Sequence, residues 1–279
     1  MGSPETQESN DSFYVSHKFM DVAKYMLEQN GLLGSFAKYI QYKKAIKEFL
    51  TEKGANVADR KSVFEQFNVI DKKVKCGHYP YQFLLMAKYI LDLKVPGPIV
   101  ECGCYKGGST AKLSILAKMT NRKLYVCDSF EGLPSPQFEA EAKMHGIVHG
   151  YNTTFHKGEF AGTMEEVKSN IRNYGCIDVC EFVPGYFENS LPGIKIDPAF
   201  VFIDVDLVTS ARDCFKHLWP QLLKGGLWFT HEAAYHEYIY GIMDKTWWHE
   251  NLGECPPLII GAGTGLSPLA HAIAYMEKL

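Results

Sequence analysis

No stretch of this chain approaches the ~18 consecutive apolar residues that a membrane-spanning helix needs. The first ten residues, Met1-Gly-Ser-Pro-Glu-Thr-Gln-Glu-Ser-Asn10, also lack the apolar centre of a secretory signal. They fit only the permissive pattern for myristoylation at Gly2, with Thr6 in place. A disordered leader over residues 1–12 is the plainer reading, and the cytoplasm is the expected compartment. Charge of one sign is scarce too. Lys and Arg number 29 against 32 Asp and Glu, a net −3, so neither nucleic acid nor a membrane surface is an expected partner. No C-x-x-C pair exists. Cys102-x-Cys104 and Cys176-x3-Cys180 do not have structural-zinc spacing, and eight cysteines in a chain this long do not make a disulfide framework. Cys102, Cys104 and Cys127 lie in or beside apolar runs and read as reduced, buried side chains. Internal repeats and low-complexity tracts are absent as well. What is present is 46% hydrophobic and 13% aromatic residues, enough for a soluble globular fold with a site for something small.

Two textures divide the chain into a helical N-terminal cap, residues 1–94, and a second domain, residues 95–279. In the cap, Phe19, Val22, Ala23 and Met26 recur at helix spacing, as do Phe36, Tyr39 and Ile40. Residues 81–93 form a third candidate helix, stopped by Val95-Pro96-Gly97-Pro98. The run Lys43-Lys44-x-x-Lys47 reads as a solvated helix face. After Pro98, short apolar runs alternate with amphipathic stretches. Strands are predicted at 99–103, 124–128, 179–183, 199–204 and 227–230, with helices at 109–119, 160–174 and 209–223. Such alternation predicts an α/β fold with a mostly parallel sheet covered by helices. Two further strand-like pieces, 257–260 and 270–276, are separated by a loop only, which predicts an antiparallel edge.

The turn Glu101-x-Gly103-x-Tyr105-x-Gly107-Gly108-Ser109 joins a predicted strand to a predicted helix. Glycine there lets backbone approach a ligand, and the helix start offers free N–H groups. Asp128 closes the next strand, where a carboxylate can accept hydrogen bonds from ribose hydroxyls. Together these point to an adenosine-bearing cofactor. Neither this turn nor Gly261-Ala262-Gly263-Thr264-Gly265 ends in Gly-Lys-Ser/Thr, so P-loop chemistry is disfavoured. The second run leaves too little chain after it for a βαβ unit and reads as an edge-strand loop without a cofactor role. NAD remains an alternative, but acidic Glu101 would face its pyrophosphate. A phosphate-free cation, S-adenosylmethionine, suits that charge better.

With Glu101-Cys-Gly-Cys-Tyr-Lys-Gly-Gly-Ser109 and Asp128-Ser-Phe-Glu-Gly-Leu-Pro134 in view, the chain resembles the macrocin O-methyltransferase family. The likeness continues through 160–174, Val183-Pro-Gly-Tyr-Phe187, Ile203-Asp-Val-Asp206 and 218–226, over about residues 95 to 250. The resemblance implies a Rossmann-like class I methyltransferase sheet with a helical N-terminal cap. It further implies S-adenosylmethionine held by Glu101, Gly103, Tyr105, Gly107, Gly108, Ser109, Asp128, Ser129, Tyr186 and Asp204. The acceptor would be a small hydroxylated molecule, a sugar or natural product, and a homodimer is expected. A divalent metal, usually magnesium, is implied at Asp204, Asp206 and Glu232. One position departs from the family pattern, which has two acidic residues after the fifth strand where this chain has His231-Glu232. Imidazole suits a softer metal than magnesium.

Asp204 and His231 end neighbouring predicted strands on the carboxyl edge, where ligands bind. His231 is the candidate general base, with Asp204 or Glu232 orienting it or holding a metal. His145, His149 and His156 fall in the long segment 133–158, which has the length of a lid or binding loop, and read as surface residues. Tyr235, His236 and Tyr238 are candidates for either the acceptor pocket or packing, and Trp247-Trp248 for core or dimer packing. Besides the oxidoreductase alternative, the changed metal positions leave open a non-catalytic relative that keeps the cofactor fold.

Overall fold

Alternating apolar runs and amphipathic helices fold here as one six-stranded sheet with helices on both faces, beside a separate two-stranded sheet. The structure, a computed structural model, describes residues 39–51, 57–147, 152–267, 270 and 272–279. In chain order the elements are α1 (39–51), α2 (Val57–Lys73), α3 (Pro80–Asp92), β1 (Ile99–Cys102), α4 (Gly108–Met119) and β2 (Leu124–Asp128). Then come α5 (Glu139–Ala142), β3 (Lys143–His145), β4 (Asn152–Thr154), α6 (Met164–Tyr174), β5 (Cys180–Pro184) and α7 (Phe187–Ser190). Last are β6 (Phe200–Ile203), α8 (Val208–Leu218), β7 (Leu227–Thr230), α9 (His236–Ile242), α10 (Lys245–Leu252) and β8 (Ala274–Glu277).

The sheet order is β5-β2-β1-β6-β7-β8. All pairings are parallel except β7 with β8, so the expected antiparallel edge is present. Its predicted partner piece, 257–260, contributes only the single bridge Ile260–Tyr275. Chain order runs outward from β1 through β2 to β5, then returns to β6 on the other side of β1. The crevice between the ends of β1 and β6 is therefore the switch point where open α/β sheets bind ligands.

β1, β6 and β7 are buried throughout, as parallel strands covered on both faces must be. Phe200, Phe202 and Phe229 face α2, α3, α4 and α6 in one apolar core. Val201, Ile203 and Trp228 face α8, α9 and α10 in the other, where Trp228 stacks on Phe215 at 4.3 Å. Trp248 is buried in this second core against Phe215 and Trp219, whereas Trp247 lies partly exposed under Arg212.

The cap shares the first core. Val63, Phe67 and Ile70 of α2, at helix spacing, pack there with Phe83, Met86 and Ile90 of α3. Helix α2 is the longest described element, yet only a general helical texture, with no separate helix, is predicted for it. Its buried stripe includes Arg60, whose side chain bonds the Phe49 carbonyl and pairs with Asp92 at 3.4 Å, so the stripe is not purely apolar. Lys43, Lys44 and Lys47 are exposed as expected. The helix predicted around Phe19–Met26 lies outside the described residues. Helix α6 starts at Met164 rather than Phe160, because Thr163 caps it by accepting the Glu166 N–H.

Gly103 shows how tightly the switch point is built. Its φ is +86°, and a Cβ there would stand 2.0 Å from the Asp204 carbonyl oxygen. Gly103→Ala is expected to cost ~2 kcal/mol or more, from left-handed strain plus the forced separation of β1 and β6. A urea unfolding midpoint measures it, and an unchanged midpoint would refute the close approach.

Candidate active site

Ladder hydrogen bonds continue one residue past three strands. The Gly103 N–H donates to the Cys127 carbonyl, Asp204 to Cys102 and His231 to Ile203, each at 2.9 Å. The sheet thus presents these residues along one edge. A cavity of about 960 Å³ opens there, ample for a small-molecule site. Of the residues selected from sequence, Gly103, Tyr105, Gly108, Ser109, Asp128, Ser129, Tyr186, Asp204, Asp206, His231 and Glu232 line it.

Two do not. Gly107 caps α4 at φ 80° and packs toward Val167. Glu101 is completely buried in β1. Burial pushes its carboxyl up to about 8, although the Ser109 and Thr110 hydroxyls pull it back. It therefore presents no anionic surface to the cavity, and the charge argument based on it falls. Asp128 does reach the wall. Its Oδ2 accepts the Cys104 N–H at 2.6 Å and its Oδ1 the Phe130 N–H at 2.7 Å.

The 133–158 segment is not a bare loop. Where described, it forms α5 and the antiparallel pair β3–β4, and Leu133, Gln137, Ile147 and Phe155 line the cavity. Buried Glu141 ties the segment down by accepting from the Thr209 N–H and hydroxyl, both at 2.6 Å. His145 and His156 are exposed, His145 bonding Glu237 at 2.6 Å; His149 lies outside the described residues. Tyr235 lines the cavity, whereas buried Tyr238 bonds Thr230 and His236 packs on Tyr240. The run Gly263-Thr264-Gly265, read from sequence as an edge loop, also forms cavity wall, because the bridge at Ile260 folds the loop back over the sheet edge.

The residue missed from sequence is His78. It sits in the 74–79 connection, immediately before α3. Pro80 favours the helix start, and Gln82 Oε1 accepts the Tyr79 N–H at 3.0 Å, which fixes the turn. The imidazole packs edge-on to Phe83, near Phe202, with its ring centre 4.8 Å from that of His231. Its Nε2 stands 2.9 Å from Asp204 Oδ2, and its Nδ1 3.3 Å from the Cys76 sulfur. Only a Gly-His-Tyr-Pro turn between helices marks it in the sequence, too weak a sign to single it out.

The electrostatics of this cluster follow from burial and charge together. Burial works against the Asp204 carboxylate, but His78 and His231 hold it down to about 2. Burial pushes His231 down to about 4 despite Asp204. Burial also opposes the charged form of His78, yet Asp204 and Cys76 hold it well above the ordinary imidazole range. Glu232 and Asp206 are pushed well above the usual carboxylate range, by burial first and then by neighbouring carboxylates. Tyr105, Asp206 and Glu232 all have positive φ, strain of the kind concentrated at functional sites.

Among the described residues, one group of three side chains brings ligand atoms within 4.8 Å of one another, namely His78, Asp204 and His231. Asp206 and Glu232, the other two metal positions implied from sequence, fall outside it. Glu232 is engaged instead by His231 Nδ1. Two imidazoles and one carboxylate are a poor donor set for magnesium, which prefers oxygen.

Residues 82–246 match the sequence profile of the macrocin O-methyltransferase (TylF) family. The chain belongs to this family. It is 34% identical over 164 residues to the 8-demethyl-8-(2,3-dimethoxy-alpha-L-rhamnosyl)-tetracenomycin-C 4'-O-methyltransferase of Streptomyces olivaceus, covering 54% of this chain and 61% of that one. It is 32% identical over 145 residues to demethyldecarbamoylnovobiocin O-methyltransferase of Streptomyces niveus, covering 49% and 53%. The chain thus matches little more than half the length of these relatives. Among solved structures, the O-methyltransferase NovP shares the fold with a TM-score of 0.57 at 20% identity, over 86% of this chain and 98% of that one. The calicheamicin methyltransferase CalS11 does so with 0.52 at 17%, over 86% and 92%. The class I methyltransferase fold expected from sequence is therefore present. No helix among the described residues is long and apolar enough to cross a membrane.

Proposed function

We propose that this chain transfers a methyl group from S-adenosylmethionine to a hydroxyl of a small metabolite, a sugar or a natural product. One observation carries the reading. A single cavity joins the Gly103–Ser109 turn and Asp128, which suit an adenosine-bearing cofactor, to Asp204 and His231, which suit proton removal. The family's named relatives methylate oxygens of antibiotic-related compounds, which supports the same reading. The bound cofactor supplies an already activated methyl group, so the protein's task is alignment and deprotonation.

The residues divide that task. Asp128 accepts hydrogen bonds from the ribose hydroxyls, its orientation preset by two backbone N–H donors. The start of α4 directs backbone N–H groups toward the cofactor's carboxylate. Neutral His231 takes the acceptor proton, and Asp204, 3.3 Å from its Nδ1, stabilises the resulting imidazolium. The β3–β4 segment and the 263–265 loop add wall to the same cavity.

Calorimetry with S-adenosylhomocysteine and, separately, with NAD tests the cofactor half. S-adenosylhomocysteine is expected to bind, and Asp128→Ala to weaken it by about 10–100-fold, from a lost pair of charge-assisted hydrogen bonds. Binding of NAD alone would overturn the reading. A mass scan of candidate hydroxylated metabolites for the gain of one methylene tests the acceptor half.

A further inference from the structure

The three-donor group is more specific than a generic divalent site. We propose that His78, Asp204 and His231 bind a first-row transition ion of borderline softness, Zn²⁺, Co²⁺ or Fe²⁺, in preference to magnesium. This goes beyond the methyl-transfer reading and does not depend on which acceptor is used.

The geometry argues for it in three steps. First, the ligand atoms lie within 4.8 Å of one another on a cavity wall, with His78 at 8% exposure. Second, His78 Nε2 is already aimed at Asp204 Oδ2, 2.9 Å away. The Cys76 sulfur lies 3.3 Å from Nδ1, so an ion that displaces the Nε2 proton would leave Nδ1–H facing the sulfur. A metal-bound imidazole commonly donates its other N–H in this way. Third, two imidazoles with one carboxylate are the donors of zinc and iron sites, whereas magnesium takes oxygen. Three protein donors leave positions for water or an acceptor oxygen.

A Lewis acid held there would make a bound hydroxyl more acidic, and His231 would then serve as a ligand to the ion rather than as proton acceptor. The ligands come from both halves of the fold: Asp204 and His231 from strand ends, His78 from the cap. Metal binding would therefore clamp the cap to the sheet edge.

Chelator-treated full-length protein titrated by calorimetry with Zn²⁺, Co²⁺ and Mg²⁺ tests this, with Co²⁺ also followed by its visible absorption. One ion per chain is expected, Zn²⁺ and Co²⁺ binding about 100-fold or more tighter than Mg²⁺, with intense cobalt bands from nitrogen ligation. His78→Ala is expected to weaken Co²⁺ about 10–100-fold or more and to change the bands, and His231→Asp to move preference toward Mg²⁺. Equal or tighter Mg²⁺ binding, or no ion bound, overturns the proposal, as does wild-type Co²⁺ affinity in a folded His78→Ala protein. The wild-type preference needs no substitution, so a misfolded variant cannot shield the idea. S-adenosylhomocysteine binding, measured on the same chelated protein, reports separately on the methyltransferase reading.

Discussion

His231→Ala is expected to lower kcat for methyl transfer by about 10²–10⁴-fold, the usual worth of a positioned acid or base. S-adenosylhomocysteine affinity should stay within a few-fold, because Asp128 and the α4 turn, proposed to hold the cofactor, are untouched. The loss is expected in both states of the site, since His231 is proposed as the base in the metal-free protein and as a ligand in the loaded one. Near-wild-type turnover would remove His231 from the chemistry. pH adds a second check on chelated protein. Burial holds His231 at about 4 against an ordinary 6.5, so it stays neutral across the neutral range and the acid limb of kcat assigned to it lies near pH 4. Between those values the unfolded chain binds the extra proton. His231's contribution to stability is therefore most favourable above pH 6.5 and declines as pH falls toward 4.

The second large effect lies beneath the site. Lys112 of α4 is completely buried, pairs with Asp71 of α2 and lies 4.7 Å over the Phe83 ring. Breaking such a pair from one side leaves the partner charge half-enclosed and a cavity behind. Lys112→Ala is expected to cost about 3–5 kcal/mol, read as a lower urea midpoint. The double replacement Lys112→Met with Asp71→Leu should recover most of it, because an apolar pair of similar volume avoids the desolvation penalty. If the single and double variants lose the same stability, the pair is not what joins α2 to α4. Lys112 also helps hold the Cys76 thiol below its ordinary value, with His78 and against burial, so this pair supports the segment that carries His78.

Much of the sheet was legible from sequence because parallel strands buried on both faces leave continuous apolar runs. Those at 124–128 and 227–230 coincide with β2 and β7, and the others differ by a residue or so at their ends. Strand-end positions of Asp128, Asp204 and His231 were legible for the same reason, since a polar residue closing an apolar run marks the carboxyl edge. Cap helix α2 was not separately legible. Its stripe alternates Val63, Phe67 and Ile70 with buried Arg60 and with the ion-paired Asp71, so the apolar period is diluted by charges that only their partners neutralise.

By itself, then, the sequence determined an α/β fold, its antiparallel edge, an adenosine-suited turn and the carboxyl-edge residues, all properties of local period and chain order. Tertiary structure alone decided three things. It buried Glu101 out of the cavity and neutralised its role, since burial depends on what packs over a strand. It turned the 263–265 loop into cavity wall. And it carried His78 from the cap to within 2.9 Å of Asp204, a contact across more than 100 residues of chain that no local pattern encodes.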